Sequence, residues 1–459
     1  MANLFPLGKR GAMKRNMTAD EMDAPLTPHL RRDHFALLYA GMLVAAAGNT
    51  ALQSVMPAIG RQLQMNDVWV AIAYTWSAVL WVVLAPYWAR QSDRRGRKPL
   101  ALLGIGGFIV SMTLCGLVLA FGLAGLLSGA VTFAVFAVVR GIYGALGSAT
   151  PSAVQAYVAS RTSRAERSGA LSTLASSFGL GTIIGPALAP LLVLPFVGLS
   201  GPVFAFAIIG ALVFAAIWFL LPNDTASNEG RGAAMSYPSL SSPPTGASVI
   251  AATAASTCEG GVRLHWRDPR IFPWLLAGVV AGHAQAATLT PLGFLVIDRL
   301  GLPPVEAQPL IGIVMMAGAS ATLVAQWGLI PRLGLSPKSL ILWGCALAAA
   351  GLAIDAWATD LYGLTMGFAL ASLGFGFVRP GFTAGASLSV GQSGQGAVAG
   401  MITAANGLAY IVAPGLGVWL YGKWEPLPYL AAGALTLWLL AWSWRRLTPS
   451  IPAESASPD

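Results

Sequence analysis

Charged residues are scarce in this chain, and that shortage excludes most classes of protein. Of the 459 residues, 10% are Asp, Glu, Lys or Arg and 56% are hydrophobic, whereas soluble globular domains carry about 25% charged residues. The apolar residues form continuous runs and do not alternate over about 10 residues, as the strands of a membrane β-barrel do. The sequence therefore predicts an all-α integral membrane protein.

Cysteines are few in this chain, and motifs typical of catalysis are absent from its sequence. The three cysteines, Cys115, Cys258 and Cys345, have a spacing that fits neither a disulfide framework nor a metal site. The sequence contains no nucleotide-binding P-loop, no zinc motif and no nucleophile elbow. We therefore expect neither an enzyme nor an ATP-driven pump, and we expect no cofactor and no bound metal.

Twelve apolar runs approach the roughly 20 residues that a membrane-spanning helix needs. We expect spans at 35–59, 67–88, 100–121, 128–158, 169–194, 200–221, 271–297, 307–329, 339–358, 361–389, 396–420 and 427–444. Residues 222–270 are rich in Ser, Ala, Gly, Pro and Thr, as linkers are. The predicted organisation is a tail (1–34), a six-helix bundle (35–221), the linker, a second six-helix bundle (271–444) and a second tail (445–459).

Basic residues orient the predicted spans. The tails, the linker and the loops on one side of the membrane hold 22 of the 27 Lys and Arg residues, and the opposite side holds three. Because short loops rich in Lys and Arg stay in the cytoplasm, we expect both termini inside, in a bacterial inner membrane. The net charge of +9 resides largely in these segments, so no nucleic-acid partner is expected.

An internal repeat predicts two related halves. The segment Phe178-Gly-Leu-Gly-Thr-Ile-Ile-Gly-Pro-Ala-Leu188 matches Asn406-Gly-Leu-Ala-Tyr-Ile-Val-Ala-Pro-Gly-Leu416 at a constant offset of 228. These segments lie in the fifth and eleventh spans. The offset therefore predicts two pseudo-symmetric six-helix bundles.

Three motifs follow one another in the first half. The loop after the second span reads Trp88-Ala-Arg-Gln-Ser-Asp-Arg-Arg-Gly-Arg-Lys-Pro99, and in the fourth span Arg140 precedes Gly144 by four residues. The fifth span contains Gly181-Thr-Ile-Ile-Gly-Pro-Ala-Leu-Ala-Pro190. With the two-half topology, these motifs resemble the major facilitator superfamily, and most closely its twelve-span drug:proton antiporter branch.

The resemblance implies alternating access to a central cavity. It implies export of small amphipathic compounds, neutral or weakly charged, across the bilayer in exchange for protons, by a protein that we expect to be monomeric. The residues that the motifs assign to gating are Asp93, Arg94, Gly96, Arg97, Gly181, Gly185 and Pro186.

Few polar residues are embedded in the predicted spans, and those few are the candidates for a site. A charged side chain at the bilayer centre costs at least about 2.5–3.5 kcal/mol by insertion scales, so Arg140 should face a cavity or a partner. The cavity candidates are Asn49, Gln53, Tyr143, Gln155, His283, Gln285, Arg379 and Asn406, and the proton-coupling candidates are Arg140, His283, Asp298 and Asp355. Trp76, Trp81 and Trp327 are interpreted as packing or interface residues.

Several alternatives stay open at this stage. No Asp or Glu lies in the middle of the first span, so proton antiport is implied by the resemblance alone. An uptake carrier or an uncoupled facilitator of the same fold, an exporter of an organic anion or siderophore, and a transporter-like receptor or assembly partner remain as alternatives. Each embedded polar residue could also serve only as a hydrogen bond between helices.

Overall fold

The computed structural model describes residues 30–162, 164–223, 265–390 and 395–447. These residues form twelve long helices with short connections. The helices are α1 (Arg32–Gln62), α2 (Asp67–Arg95), α3 (Arg97–Leu123), α4 (Gly129–Ala159), α5 (Arg164–Leu188), α6 (Gly201–Leu220), α7 (Phe272–Leu300), α8 (Pro304–Leu333), α9 (Pro337–Trp357), α10 (Leu361–Leu388), α11 (Gln395–Tyr421) and α12 (Leu427–Arg446).

Ten of these helices are long and apolar enough to cross a membrane by themselves, and α5 and α11 contribute the shorter apolar stretches Gly179–Leu188 and Ile411–Tyr421. The predicted fold, twelve spanning helices in two six-helix bundles, is confirmed. The bundle before the linker is called the first half below, and the one after it the second half. Most of the predicted linker and of both tails lies outside the described residues.

The predicted loop at 88–99 is almost entirely helical. α2 continues to Arg95 and α3 begins at Arg97, so Gly96 alone joins them. Gly96 has φ 92° and ψ 155°, a backbone region that essentially only glycine adopts. One glycine therefore makes the turn for which the sequence predicted a longer loop. The side chains of Asp93 and Arg94 lie outside the described residues.

Lys98 ties the start of α3 to the end of α6. Its Nζ donates hydrogen bonds to the carbonyl oxygen of Trp218, at 2.8 Å, and to that of Leu221. The last carbonyls of a helix have no partner within the helix and carry partial negative charge. Lys98 thus caps α6, a role that its position in a charged loop did not reveal.

α4 and α8 each contain a π-helical segment, at Tyr143–Gly147 and Val324–Leu329. Such segments are rare and are often found at functional sites. In α4 the segment begins three residues after Arg140. The carbonyl of Ala145 within it accepts a hydrogen bond of 2.7 Å from Nε1 of Trp88 in α2.

Proline sets two boundaries that the apolar runs did not show. The fifth span was predicted at 169–194, and its predicted end was wrong. The helix stops at Leu188, and a short 3₁₀ turn, Pro190–Leu192, follows. α7 was predicted as continuous, but it consists of Phe272–Leu289 and Leu292–Leu300. Pro291, which lacks a backbone N–H, lies at this interruption.

Small residues bring α5 close to α1. A Cβ atom on Gly181 would lie 2.6 Å from Cβ of Ala46, and the Thr50 hydroxyl donates to the carbonyl of Gly181 at 3.0 Å. At the 228-residue offset in α11, Ala409 lies beside Gly282 of α7. The two halves therefore repeat one close helix pair. The glycine lies in α5 in the first half and in α7 in the second.

The two halves meet through α1, α2 and α5 on one side and α7, α8 and α11 on the other. Pro57 packs against Gly293, and a Cβ atom on Gly312 would lie 2.8 Å from the carbonyl oxygen of Pro186. These contacts lie towards the end of the bundle at which α1 ends and α2 begins. We call this the Arg61 end, after the residue next to the last of α1.

Candidate functional site

A central cavity of about 300 Å³ lies between the two halves, around the middle of their helices. Its walls come from α1, α2, α4 and α5 of the first half and from α7, α8, α10 and α11 of the second. Because residues of both halves line this cavity, a ligand inside it would contact both halves. Its volume is at the lower limit of pockets that hold drug-sized molecules.

Polar groups concentrate on the wall formed by the first half. The side chains there that carry polar atoms are Asn49, Thr50, Gln53, Tyr74, Ser77, Trp81, Arg140, Tyr143 and Thr182. Several hold one another in place. The hydroxyl of Ser77 donates to the carbonyl of Arg140 at 3.2 Å, and the rings of Trp81 and Tyr143 lie 5.2 Å apart.

Arg140 is the central residue of this wall, with only 2% of its surface exposed. Its Nη2 donates to Oδ1 of Asn49, and its guanidinium carbon lies 4.7 Å from the ring centre of Tyr143 and 5.5 Å from that of Tyr74. The hydrogen bond from Nη2 and the cation–π attraction to the two rings hold the guanidinium in place. Its Nε and Nη1 have no hydrogen-bond partner in the part of the chain that the structure describes.

The wall formed by the second half is more apolar. Met315 of α8 and Phe368 and Phe375 of α10 provide its hydrophobic surface. The polar side chains on this wall are Gln285, Thr290, Thr322, Gln326, Ser372 and Arg379. The cavity is therefore amphipathic, with more polar side chains on the wall of the first half than on the wall of the second.

Ionic contacts close the Arg61 end. Nη2 of Arg61 lies 2.9 Å from a carboxylate oxygen of Asp67 and 2.7 Å from one of Asp298. The hydroxyl of Tyr421 donates to the same oxygen of Asp298 at 2.6 Å, and the Arg61 guanidinium lies over the ring of Phe294. We call Arg61, Asp67, Asp298 and Tyr421 the closing cluster, because it joins α1 and α2 to α7 and α11.

The structure brings together most, but not all, of the residues predicted for the cavity. Those that line it are Asn49, Gln53, Arg140, Tyr143, Gln285 and Arg379. Gln155 and His283 are absent from the described lining, and Nδ1 of His283 bonds instead to the carbonyl of Val279 in its own helix, at 2.7 Å. The side chain of Asn406 lies outside the described residues.

The two predicted acidic candidates lie in different surroundings. Asp298 belongs to the closing cluster and contacts the other half. Asp355 is fully buried in α9 against Gly367 of α10, within its own half, and neither of its carboxylate oxygens has a hydrogen-bond partner in the described structure. Asp298 is therefore the one whose contacts depend on how the halves are arranged.

Sequence reasoning missed several residues of these two sites, among them Arg61, Tyr421, Tyr74 and Trp81. Arg61 was counted only as a cation on the outer side, Tyr421 and Tyr74 were not considered, and Trp81 was interpreted as packing. Trp81 does pack on Tyr143, but it also lines the cavity. A polar or charged residue within one turn of a predicted span end was the available signal for Arg61.

Two bundles of six helices around a shared amphipathic cavity are the architecture of a membrane transporter. A family model described as Major Facilitator Superfamily matches residues 38–414, and the chain belongs to that superfamily.

Relatives and solved structures agree with this assignment. Over 403 residues the chain is 25% identical to Multidrug resistance protein 2 of Bacillus subtilis, covering 87% of this chain and 91% of the relative. It is 31% identical to the class D tetracycline resistance protein of Salmonella ordonez over 196 residues, or 41% of this chain and 44% of that one.

The crystal structure of the human organic anion transporter MFSD10 (TETRAN) superposes with a TM-score of 0.60 at 18% identity, covering 90% of this chain and 99% of that one. That of a mutant of the nucleoside transporter NupG superposes with a TM-score of 0.64 at 10% identity, covering 90% and 100%. At these identities, both similarities concern the fold alone.

Proposed function

We propose that this protein exports small amphipathic compounds from the cytoplasm by alternating access, in exchange for protons. The observation that carries the proposal is the position of the cavity. It lies between two halves that contact each other at the Arg61 end through the closing cluster. Separation of the halves at that end would expose the same cavity to the other side of the membrane.

Charge distribution supports the orientation. Among the described residues, Arg95, Arg97 and Lys98 at the joint of α2 and α3, and Arg445 and Arg446 at the end of α12, lie at the end opposite to the Arg61 end. Such Lys- and Arg-rich segments stay in the cytoplasm. We therefore place the termini in the cytoplasm of a bacterial cell and the Arg61 end at the outer face of its inner membrane. In that orientation, the described conformation is closed to the outside.

Relatives support the direction of transport. The curated relatives described above are named for multidrug and for tetracycline resistance, and a transporter provides resistance when it moves a compound out of the cell. The mixed lining of the cavity fits amphipathic compounds, because pockets for such ligands are mostly apolar with a few placed polar groups.

Asp298 is the residue that we assign to proton coupling. A coupling carboxyl must change its surroundings when the halves move, because a ligand shifts an equilibrium only by its different affinity for the two states. Asp298 meets this condition, since its Arg61 partner belongs to the other half. Asp355 packs on Gly367 of its own half and would move together with it.

The test is substrate-dependent proton movement in liposomes that hold the purified protein and a pH-sensitive dye. The external compounds are tetraphenylphosphonium, a cation, and naphthalene-2-sulfonate, an anion that remains ionised. We expect at least one of them to drive proton movement through the native protein. We expect Asp298→Asn to abolish that movement and Asp355→Asn to retain it.

Melting temperatures of both variants serve as the check on folding. Undiminished proton movement through a folded Asp298→Asn variant would remove Asp298 from the coupling mechanism. Movement of the solute without protons would make the protein an uncoupled facilitator. If neither solute nor protons moved under any condition, the transporter-like receptor would be the better interpretation.

A further inference from the structure

The wall of the cavity formed by the first half presents hydrogen-bond donors without acceptors. Nε and Nη1 of Arg140 are buried and have no hydrogen-bond partner among the described residues, and the same is true of the Tyr74 hydroxyl and of Nε1 of Trp81. All three side chains line the cavity. Buried polar groups are nearly always hydrogen-bonded, so each exception requires an explanation.

The charges around the cavity have one sign. Its described lining contains Arg140 and Arg379 but no Asp and no Glu. Arg140 lies at mid-helix in α4, where an unpaired cation is costly. The carboxylates of the closing cluster bond to Arg61 and Tyr421 and do not belong to the lining. The described lining therefore holds no acid that would neutralise Arg140.

Two nitrogens of the guanidinium keep N–H groups without a described partner. Asn49 occupies Nη2, and the rings of Tyr143 and Tyr74 lie beside the guanidinium plane. Nε and Nη1 lie on different edges of the guanidinium, so each offers a single charge-assisted N–H donor to an oxyanion. The opposite wall, with Met315, Phe368 and Phe375, offers contact to an apolar body and no competing anion.

We infer that the cavity selects amphipathic organic anions, with the acidic group bound by Arg140 and Tyr74 and the apolar body packed against the wall of the second half. The inference rests on the proposal that this cavity is the substrate site, and it narrows the substrate class. A carboxylate or sulfonate oxygen would satisfy the donors that the protein leaves unpaired. An organic cation would place a second positive charge beside Arg140.

The test compares three probes with one naphthalene body. They are naphthalene-2-sulfonate, the neutral naphthalene-2-sulfonamide and the cationic 2-naphthylmethylammonium, titrated calorimetrically into native protein in an uncharged detergent. We expect the sulfonate to bind at least ten-fold more tightly than either of the others. We expect Arg140→Gln to remove this preference while leaving the affinity for the sulfonamide largely unchanged.

Two further variants make the result decisive. Tyr74→Phe removes one hydroxyl and is expected to weaken sulfonate binding about five-fold. If Arg140→Gln does not fold, this variant tests the anion site in its place. Arg299→Gln, which removes an arginine paired with Glu425 outside the cavity, is expected to keep the full preference.

The inference is overturned if the ammonium probe binds as well as the sulfonate, if the sulfonate does not bind, or if its preference survives in both Arg140→Gln and Tyr74→Phe. These equilibrium measurements do not depend on transport. Anion binding without proton movement in liposomes would contradict the proposed antiport and leave the anion site standing. Proton movement driven by tetraphenylphosphonium and not by the sulfonate would support the proposed antiport and contradict the anion site.

Discussion

Arg61 and Asp298 are 237 positions apart in the chain, yet Nη2 of one lies 2.7 Å from a carboxylate oxygen of the other, and this ion pair joins the two halves. A second ion pair at the same end, between Arg299 and Glu425 at 3.0 Å, lies wholly within the second half. The two pairs are chemically alike, but only the first must break when the halves separate at this end.

Replacing Arg61 by Gln should favour the conformation that is open at the Arg61 end. Loss of a partly exposed ion pair amounts to about 1 kcal/mol, which would increase the open-to-closed ratio about five-fold. The measurement is the distance between spin labels on Gln62→Cys and Lys423→Cys, with Cys258 replaced by Ser. Cys115 and Cys345 are buried.

Glu425→Gln is the matched control for Arg61→Gln, because it breaks the pair that lies within one half. Its distance distribution should equal that of the labelled protein without further changes. A longer distance in both variants would mean that loss of any ion pair at this end favours opening, and that the Arg61–Asp298 pair has no special role.

Replacing Gly312 by Val should prevent full closure at the Arg61 end. Its Cβ would lie 2.8 Å from the carbonyl oxygen of Pro186 in the other half, which is closer than nonbonded atoms approach. We expect a loss of transport and an increased Gln62–Lys423 label distance in a folded protein. Gly415→Ala, at a glycine with no atom within 4 Å of its Cβ position, should transport normally. Normal transport by both variants would show that Pro186 and Gly312 do not need to approach each other.

Replacing Gly96 by Ala should destabilise the joint between α2 and α3. Its φ of 92° and ψ of 155° are essentially restricted to glycine, and another residue there costs about 1–3 kcal/mol. We expect a lower melting temperature together with slower transport. Gly106→Ala should be neutral, since its nearest neighbour is a side-chain atom at 3.7 Å. Equal melting temperatures would mean that the joint relaxes freely.

Replacing Asp93 by Asn should slow the transport cycle without unfolding the protein. The motif around it implies a latch between helices at the end opposite to the Arg61 end, and the change removes the charge of Asp93. The control is Asp33→Asn, which alters an exposed acid in α1 that pairs with Arg31, two residues away. Transport rates in liposomes at saturating substrate are the measurement. An undiminished rate in Asp93→Asn would show that Asp93 does not act as a latch.

The helices could be predicted because their cause is local. A run of apolar residues must form a helix in a membrane, since no water is available for its backbone groups, and the predicted spans match the observed helices within a few residues at most ends. The exceptions have local causes as well. Gly96 shortened a predicted loop to one residue, and Pro190 ended α5 before the apolar residues did.

The cavity could be predicted only in part, because periodicity does not say which face of a helix meets the other half. Asn49 and Gln285 lie in the lining, whereas His283, two residues before Gln285, bonds to its own backbone. The closing cluster has no signature in sequence. Arg61 and Asp298 are ordinary residues at helix ends, and only the assembled fold shows that they meet.

The π-helical segment in α4 makes the position of Arg140 depend on the length of the chain as well as on its composition. A hydrogen bond from residue i to i+5 accommodates one residue more than an α-turn, which corresponds to about 100° of helical rotation. Arg140 lies before this extra residue and faces the cavity, while Tyr157 lies after it and donates to the carbonyl of Pro222 at 3.4 Å. Deleting one residue from Tyr143–Gly147 would restore a regular helix, but it would turn these two side chains relative to each other, so that only one of them could keep its present partner.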